Sequence, residues 1–211
     1  MKRFLVALSF LILSQHAVAD YIYTSDLNDL YHAGSIVPVS GQNGGSYEVY
    51  TDLSNGILLL NQNAWTYVSF EDLFGLEILD LDSGTDYVLN FSVRIMNALP
   101  EIAGFMLAND SNIVSIDGDD ARFAFNLGGS QDWGDRTFQY DTTEMGTWQS
   151  FSISLNDFVS GAYKYLVFIN DCDKQNCDNS VEFGDVTVSV PEPGMLGAFG
   201  LVLLAIRRFR K

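Results

Sequence analysis

The stretch DYVLNFSVRIM (86–96) alternates without a break. Tyr87, Leu89, Phe91, Val93 and Ile95 fall on one side of an extended chain, and Asn90, Ser92 and Arg94 on the other. Successive side chains of a strand point to opposite faces, so this segment reads as a strand with one dry face and one wet face. A helix would scatter the same apolar residues around its circumference. The pattern recurs along the chain. ARFAFNL aligns Phe123, Phe125 and Leu127, and WQSFSISL aligns Phe151, Ile153 and Leu155. YKYLVFIN is almost wholly apolar, as a central strand is. SYEVYT, GILLLN and AWTYVSF read as three more strands. In SVEFGDVTVSV, Val181 and Phe183 share one parity and Val186, Val188 and Val190 the other; a bulge near Gly184 would reconcile them.

Turn-forming clusters separate these runs: GQNGG, LSNG, DLDSGTD, DGDD and LGGSQDWGD. No stretch has the pattern of an amphipathic helix, and there is no internal repeat. Short strands divided by turns imply a single all-β domain, a two-sheet β-sandwich.

The two ends depart from this pattern. Lys2 and Arg3 precede the apolar run Phe4–Leu13, and Ala17-Val18-Ala19 offers small residues for signal peptidase. Residues 1–19 are therefore expected to be a cleaved, helical signal peptide rather than an anchor, since the apolar run is short for a bilayer. At the other end, Pro191-Glu192-Pro193 precedes an apolar, helix-patterned run, Met195–Ile206, and then Arg207, Arg208, Arg210 and Lys211. The prolines break any element running into the tail. The basic cluster favours the cytoplasmic side of a membrane and acts as a stop.

This arrangement resembles the PEP-CTERM sorting signal of Gram-negative bacteria. The resemblance covers residues 191–211 and implies recognition by an exosortase at or near Pro191-Glu192-Pro193. It further implies transient retention in the inner membrane through a transmembrane segment. Release to the cell surface or matrix follows, in association with exopolysaccharide and biofilm.

Between the tails lies a domain of residues 20–190. Only Arg94, Arg122, Arg136, Lys164 and Lys174 of the chain's 11 basic residues fall there, against all but one of its 27 acidic residues. Such a surface repels nucleic acid and anionic lipid. Cys172 and Cys177 stand in NDCDKQNCDN. In an exported chain a disulfide is expected over two free thiols, and the absence of a nearby histidine makes a poor zinc site.

The order of the Tyr87–Ile95 strand, then Trp148-x-x-Phe-x-Ile-x-Leu, then Phe183-Gly-Asp185-Val-x-Val resembles jelly-roll carbohydrate-binding modules. That likeness implies a jelly roll and a structural calcium on Asp185. Asp171 and Asp173, in the acidic cysteine loop, are further candidate ligands, because calcium takes several oxygens from bent polar segments. Glu77, Asp80 and Asp82 resemble only loosely the active-site strand of laminarinase-like enzymes, with the wrong spacing, and read as strand-end and turn residues.

Catalytic signatures are lacking. His32 is the one histidine outside the signal segment, and there is no nucleophile elbow. The chain is read as non-enzymatic. Sugar binding needs an aromatic platform beside amide and carboxylate groups. Trp133, in a Gly/Ser/Asp loop with Gln131 and Asp135, is the first candidate, against the alternative that it packs over its own loop. Trp65 and Tyr67, on one strand face, come second. Trp148 is expected in the core. The expectation is an exported surface or matrix protein binding exopolysaccharide. The alternatives are a calcium-stabilised structural or adhesive matrix protein without a sugar site and, more remotely, a polysaccharide hydrolase or lyase.

Overall fold

A computed structural model describes residues 21–24, Leu27, Leu30, 34–39, 48–52, 56–109, 124–172 and 178–190. The expected signal helix and the apolar tail, with Pro191, Glu192, Pro193 and the terminal basic cluster, lie outside the described residues, as do His32, Asp173 and Cys177. Among the described residues, no helix is long and apolar enough to cross a membrane.

The described strands are β1 (Tyr21–Thr24), β2 (Val37–Pro38), β3 (Glu48–Asp52), β4 (Ile57–Asn61), β5 (Ala64–Ser69), β6 (Leu79–Asp80) and β7 (Val88–Met96), followed by β8 (Ile102–Ala108), β9 (Ala124–Gly128), β10 (Gln149–Ser154), β11 (Ala162–Tyr163), β12 (Tyr165–Asp171) and β13 (Ser180–Val190). They form two large antiparallel sheets. One has the order β10-β7-β13-β4-β3, with β1 added to β13; the other is β2-β5-β12-β8-β9. A small β6-β11 ladder lies apart. The chain changes sheet before β2 and β3, between β4 and β5, and again before β7, β8, β10, β12 and β13. Crossing back and forth between two antiparallel sheets makes this an all-β sandwich of jelly-roll type.

The alternating residues behave as their parity requires. Leu89, Phe91, Val93 and Ile95 face inward and are buried, while Asn90 and Arg94 face outward and are partly exposed. Phe91 of one sheet meets Phe105 of the other edge-to-face at 5.2 Å, and Phe105 stacks on Phe125 at 4.8 Å. Phe168 and Phe183 join the sheets again at 5.1 Å. Each buried ring stabilises the sandwich by about 2–3 kcal/mol through apolar area removed from water.

The bulge in β13 is present. Its register with β7 shifts between Gly184 and Thr187. Asp185 takes the extra position with φ +54°, the left-handed conformation that aspartate tolerates better than most residues. The inward set thereby passes from Val181 and Phe183 to Val186 and Val188, all buried.

Three local expectations are corrected. A short helix, α1 (Phe70–Phe74), follows β5, where no helix was expected. Ser69 caps it, its hydroxyl accepting from the Asp72 amide at 3.0 Å, and Gly75 ends it at φ +69°. The run WQSFSISL stops being a strand at Ser154; Leu155 is buried in a 3₁₀ turn. Trp148 is not in the core. It is 38% exposed, because β10 begins one residue later and turns Phe151 and Ile153 inward.

Candidate functional site

The five-stranded sheet has two packed faces. One joins the main core. On the other, the cross-strand register sets Tyr67, Val167, Met106 and Ala124 in one row and Trp65, Ile169, Gly104 and Asn126 in the next. Tyr165, opposite Ser69 and Ala108, extends the face by a further row. Trp65, Met106, Ala124, Val167 and Ile169, with Ile102 and Val39, form a second apolar cluster separate from the core between the sheets, and Tyr67 packs against it.

Trp65 is the floor of this cluster and is fully buried. Its indole Nε1 donates to Asp171 Oδ1 at 3.3 Å. Trp65 is therefore not a free platform. Asp171 also differs from expectation: it is the last residue of β12, 3% exposed, with a carboxylate oxygen accepting from the indole.

Trp133 comes to this face from the loop after β9. Its ring stands edge-on to Trp65, with centroids 6.0 Å apart and planes at 61°, and it is half-buried against the cluster. Tyr67 and Tyr165 meet edge-to-face at 5.4 Å, both half-buried. The face thus carries three rings with accessible surface, Trp133, Tyr67 and Tyr165, over an apolar floor.

The loop that delivers Trp133 is held by its own backbone. Asp135 forms a parallel bridge to Phe125; its amide donates to the Ala124 carbonyl at 2.7 Å, and the Asn126 amide donates to its carbonyl at 2.8 Å. The Asp135 carboxylate accepts from the Thr137 amide at 2.7 Å. Arg136 donates to the carbonyls of Gln131 and Gly129 at 3.1 and 3.2 Å. Gly134, at φ +72°, leaves no room for a side chain: a Cβ there would lie 2.9 Å from the Ala124 carbonyl oxygen. The Gln131 side chain and Asp132 are exposed beside the ring. Asn126, wholly buried, donates to the Gln131 carbonyl at 3.0 Å and leaves its side-chain oxygen without a partner.

The structure therefore gathers Trp133, Trp65 and Tyr67 at one face, with Gln131 and Asp135 in the loop that carries Trp133. It separates Asp185, which lies exposed on the outer surface of the other sheet. There Asp185 Oδ2 accepts from Ser92 Oγ at 3.3 Å. Among the described residues, no group of three metal-ligating side chains converges. Asp80 acts as a turn residue, Oδ1 accepting from the Asp82 amide at 3.0 Å. Tyr165 was missed by sequence reasoning. Its signal was available as cross-strand parity, which needs the register of β12 on β5.

Trp148 forms a different arrangement on the six-stranded sheet. Its ring lies over Gly184, 3.6 Å from the place a Cβ would take, and the Arg94 guanidinium sits 4.8 Å from its centroid. Arg94 is itself ion-paired with Glu182. Glycine on one side and guanidinium on the other account for an exposed tryptophan.

Residues 189–211 match the PEP-CTERM protein-sorting motif. No curated protein matches the chain. Among solved structures, a family 30 carbohydrate-binding module of a cellulosomal cellulase of Clostridium thermocellum is similar at 17% identity and TM-score 0.41, over 75% of this chain and 94% of that one. The family 11 module from Clostridium thermocellum in complex with a β-1,3-1,4-mixed-linked tetrasaccharide is similar at 13% identity and TM-score 0.36, over 74% and 95%. The K2 cleaved adhesin domain of Lys-gingipain is similar at 11% identity and TM-score 0.38, over 80% and 99%.

Proposed function

We propose that this chain, exported and sorted through its PEP-CTERM motif, is a non-enzymatic surface or matrix protein that binds a neutral extracellular polysaccharide on the outer face of its five-stranded sheet. The observation that carries this reading is the placing of Trp133 and Tyr67, both half-buried, on one apolar floor, with half-buried Tyr165 edge-to-face against Tyr67. Pyranose rings present flat C–H faces that stack on such aromatics, while exposed Gln131 and Asp132 supply hydrogen bonds to hydroxyls. The fixed loop supports the same reading, because a ring held before binding loses little freedom on binding.

Charge selects the ligand class. The domain between the tails carries five basic residues against 26 acidic ones, so an anionic polysaccharide would be repelled. Neutral glucans, xylans or mannans fit better. The Cys172–Cys177 disulfide belongs to the same proposal; Cys172 is buried and no free cysteine is present among the described residues. A structural calcium on the exposed Asp185 belongs to the same proposal, on the strength of the Phe183-Gly-Asp185-Val-x-Val pattern.

The test is binding of the purified protein to a panel of neutral and anionic polysaccharides, with calcium and with chelator, beside Trp133→Ala. Retention of a neutral polysaccharide that the substitution abolishes supports the reading. No retention of any sugar overturns it and leaves a structural matrix protein.

A further inference from the structure

The N-terminal strand and the sorting motif meet in the fold. β1 pairs antiparallel with the end of β13, in the register Tyr21 to Val190, Ile22 to Ser189, Tyr23 to Val188 and Thr24 to Thr187. The matched sorting segment begins at residue 189. Its first two residues are therefore strand residues, already paired with β1.

The two edges of β13 are held unequally. On one side β7 pairs with it as far as Ser189, opposite Val88. On the other, β4 reaches only Ser180–Phe183, and β1 takes up Thr187–Val190 beyond the bulge. Val190, immediately before Pro191, has β1 as its one strand neighbour among the described residues. A processing enzyme that binds its substrate as an extended segment needs backbone groups on both sides of the motif. On the N-terminal side they are already engaged, alternately by β1 and by β7 as far as Ser189 and by β1 at Val190. An edge strand of four residues, held on one side, is also among the cheapest elements of a sheet to detach.

We propose that β1 is an intramolecular guard on C-terminal processing: docked, it closes the free edge of β13 at Thr187–Val190 against the sorting enzyme, and its release opens that edge up to Val190, immediately before Pro191. This rests on the sorting part of the function proposed above. It also links the two ends of the chain, since any event that delays docking of the N-terminal strand favours removal of the tail.

Full-length protein is expressed in a host that processes PEP-CTERM chains, and loss of the tail is followed by pulse labelling. Ile22→Pro and Tyr23→Pro are both made, because alternate amides of β1 face β13. One of them is expected to speed processing roughly tenfold, the equivalent of about 1.4 kcal/mol of pairing. Hydrogen exchange shows whether protection is lost only at the amides of Thr187–Val190 that face β1, while Phe91 and Val181 stay protected. A Gly-Ser-Gly-Ser insertion between Val190 and Pro191, which leaves the pairing intact, is expected to give the same acceleration. Unchanged rates in the proline variants with β1 released, or in the insertion variant if the prolines unfold the domain, overturn the guard and leave sorting standing. A wild-type chain that never loses its tail overturns both.

Discussion

Trp133 rests edge-on against Trp65, and only the outer of the two rings reaches solvent. The inner ring's N–H donates a hydrogen bond to Asp171 Oδ1. The pair divides between two settings: Trp65 is enclosed by the fold, and Trp133 is the half-buried ring to which the proposed function gives the ligand.

That division predicts unequal costs. Trp65→Ala empties a fully buried site and removes a hydrogen bond to the buried Asp171, so it should destabilise by about 3–5 kcal/mol. Trp133→Ala removes a half-buried ring and should cost about 1–2 kcal/mol. Urea denaturation of the two variants checks the order. Equal losses would mean that Trp133 is as structural as Trp65.

Gly104 makes a second prediction. A Cβ there would lie 1.9 Å from the Phe125 carbonyl oxygen, where backbone, not a flexible side chain, is the obstacle. Gly104→Ala should lower stability by about 2 kcal/mol or more, as overpacking does, and should displace β9 and with it the Trp133 loop. Thermal melting and the near-ultraviolet signal of the tryptophans report both effects.

The Arg94, Trp148 and Glu182 cluster is partly exposed, the Arg94 and Glu182 side chains at 28% and 14%. Screening by water limits such a pair to at most about 1 kcal/mol. Glu182→Gln should therefore cost no more than about 1 kcal/mol, with an effect that shrinks in salt. Arg94→Ala should cost more, because the ring contact is lost with the ion pair. A double-mutant cycle with Trp148→Ala separates the two contributions.

Asp141 supplies a pH prediction. The Thr143 hydroxyl donates to its Oδ1 at 2.6 Å and the Thr143 amide at 2.9 Å. These bonds favour the carboxylate and hold the group below its ordinary value of 3.8. The folded state is the stronger acid, so the contribution is complete above the ordinary value and disappears as pH falls through the lower, folded one. An NMR titration should place the midpoint under 3.8, and Thr143→Ala should move it upward.

Much of the sandwich was legible because parity is a local property. Phe91 and Val93 announce their face by their neighbours, and the parity switch at Gly184 locates the bulge before any partner strand is known. The helix Phe70–Phe74 also had a signal, Ser69 three residues before Asp72 with Gly75 behind, but its five residues are too few for periodicity. The two tryptophans were not legible. Trp148 stays outside because Gly184, far away in sequence, leaves space beneath it. Trp133 is drawn onto the sheet by a floor built from other strands. Neither fact is written near the residue it governs. Asp171 was read as part of an acidic loop, yet strand pairing continues one residue further and delivers it to Trp65.

The most direct test of the account is titration calorimetry of the purified protein with a neutral polysaccharide that it retains, comparing wild type, Trp133→Ala, Tyr67→Ala and Trp148→Ala. The account predicts that the first two substitutions each weaken binding by about tenfold or more, as removal of a stacking ring does, and that Trp148→Ala leaves it unchanged. Binding lost with Trp148 and kept without Trp133 and Tyr67 would place the site on the opposite sheet and contradict the account.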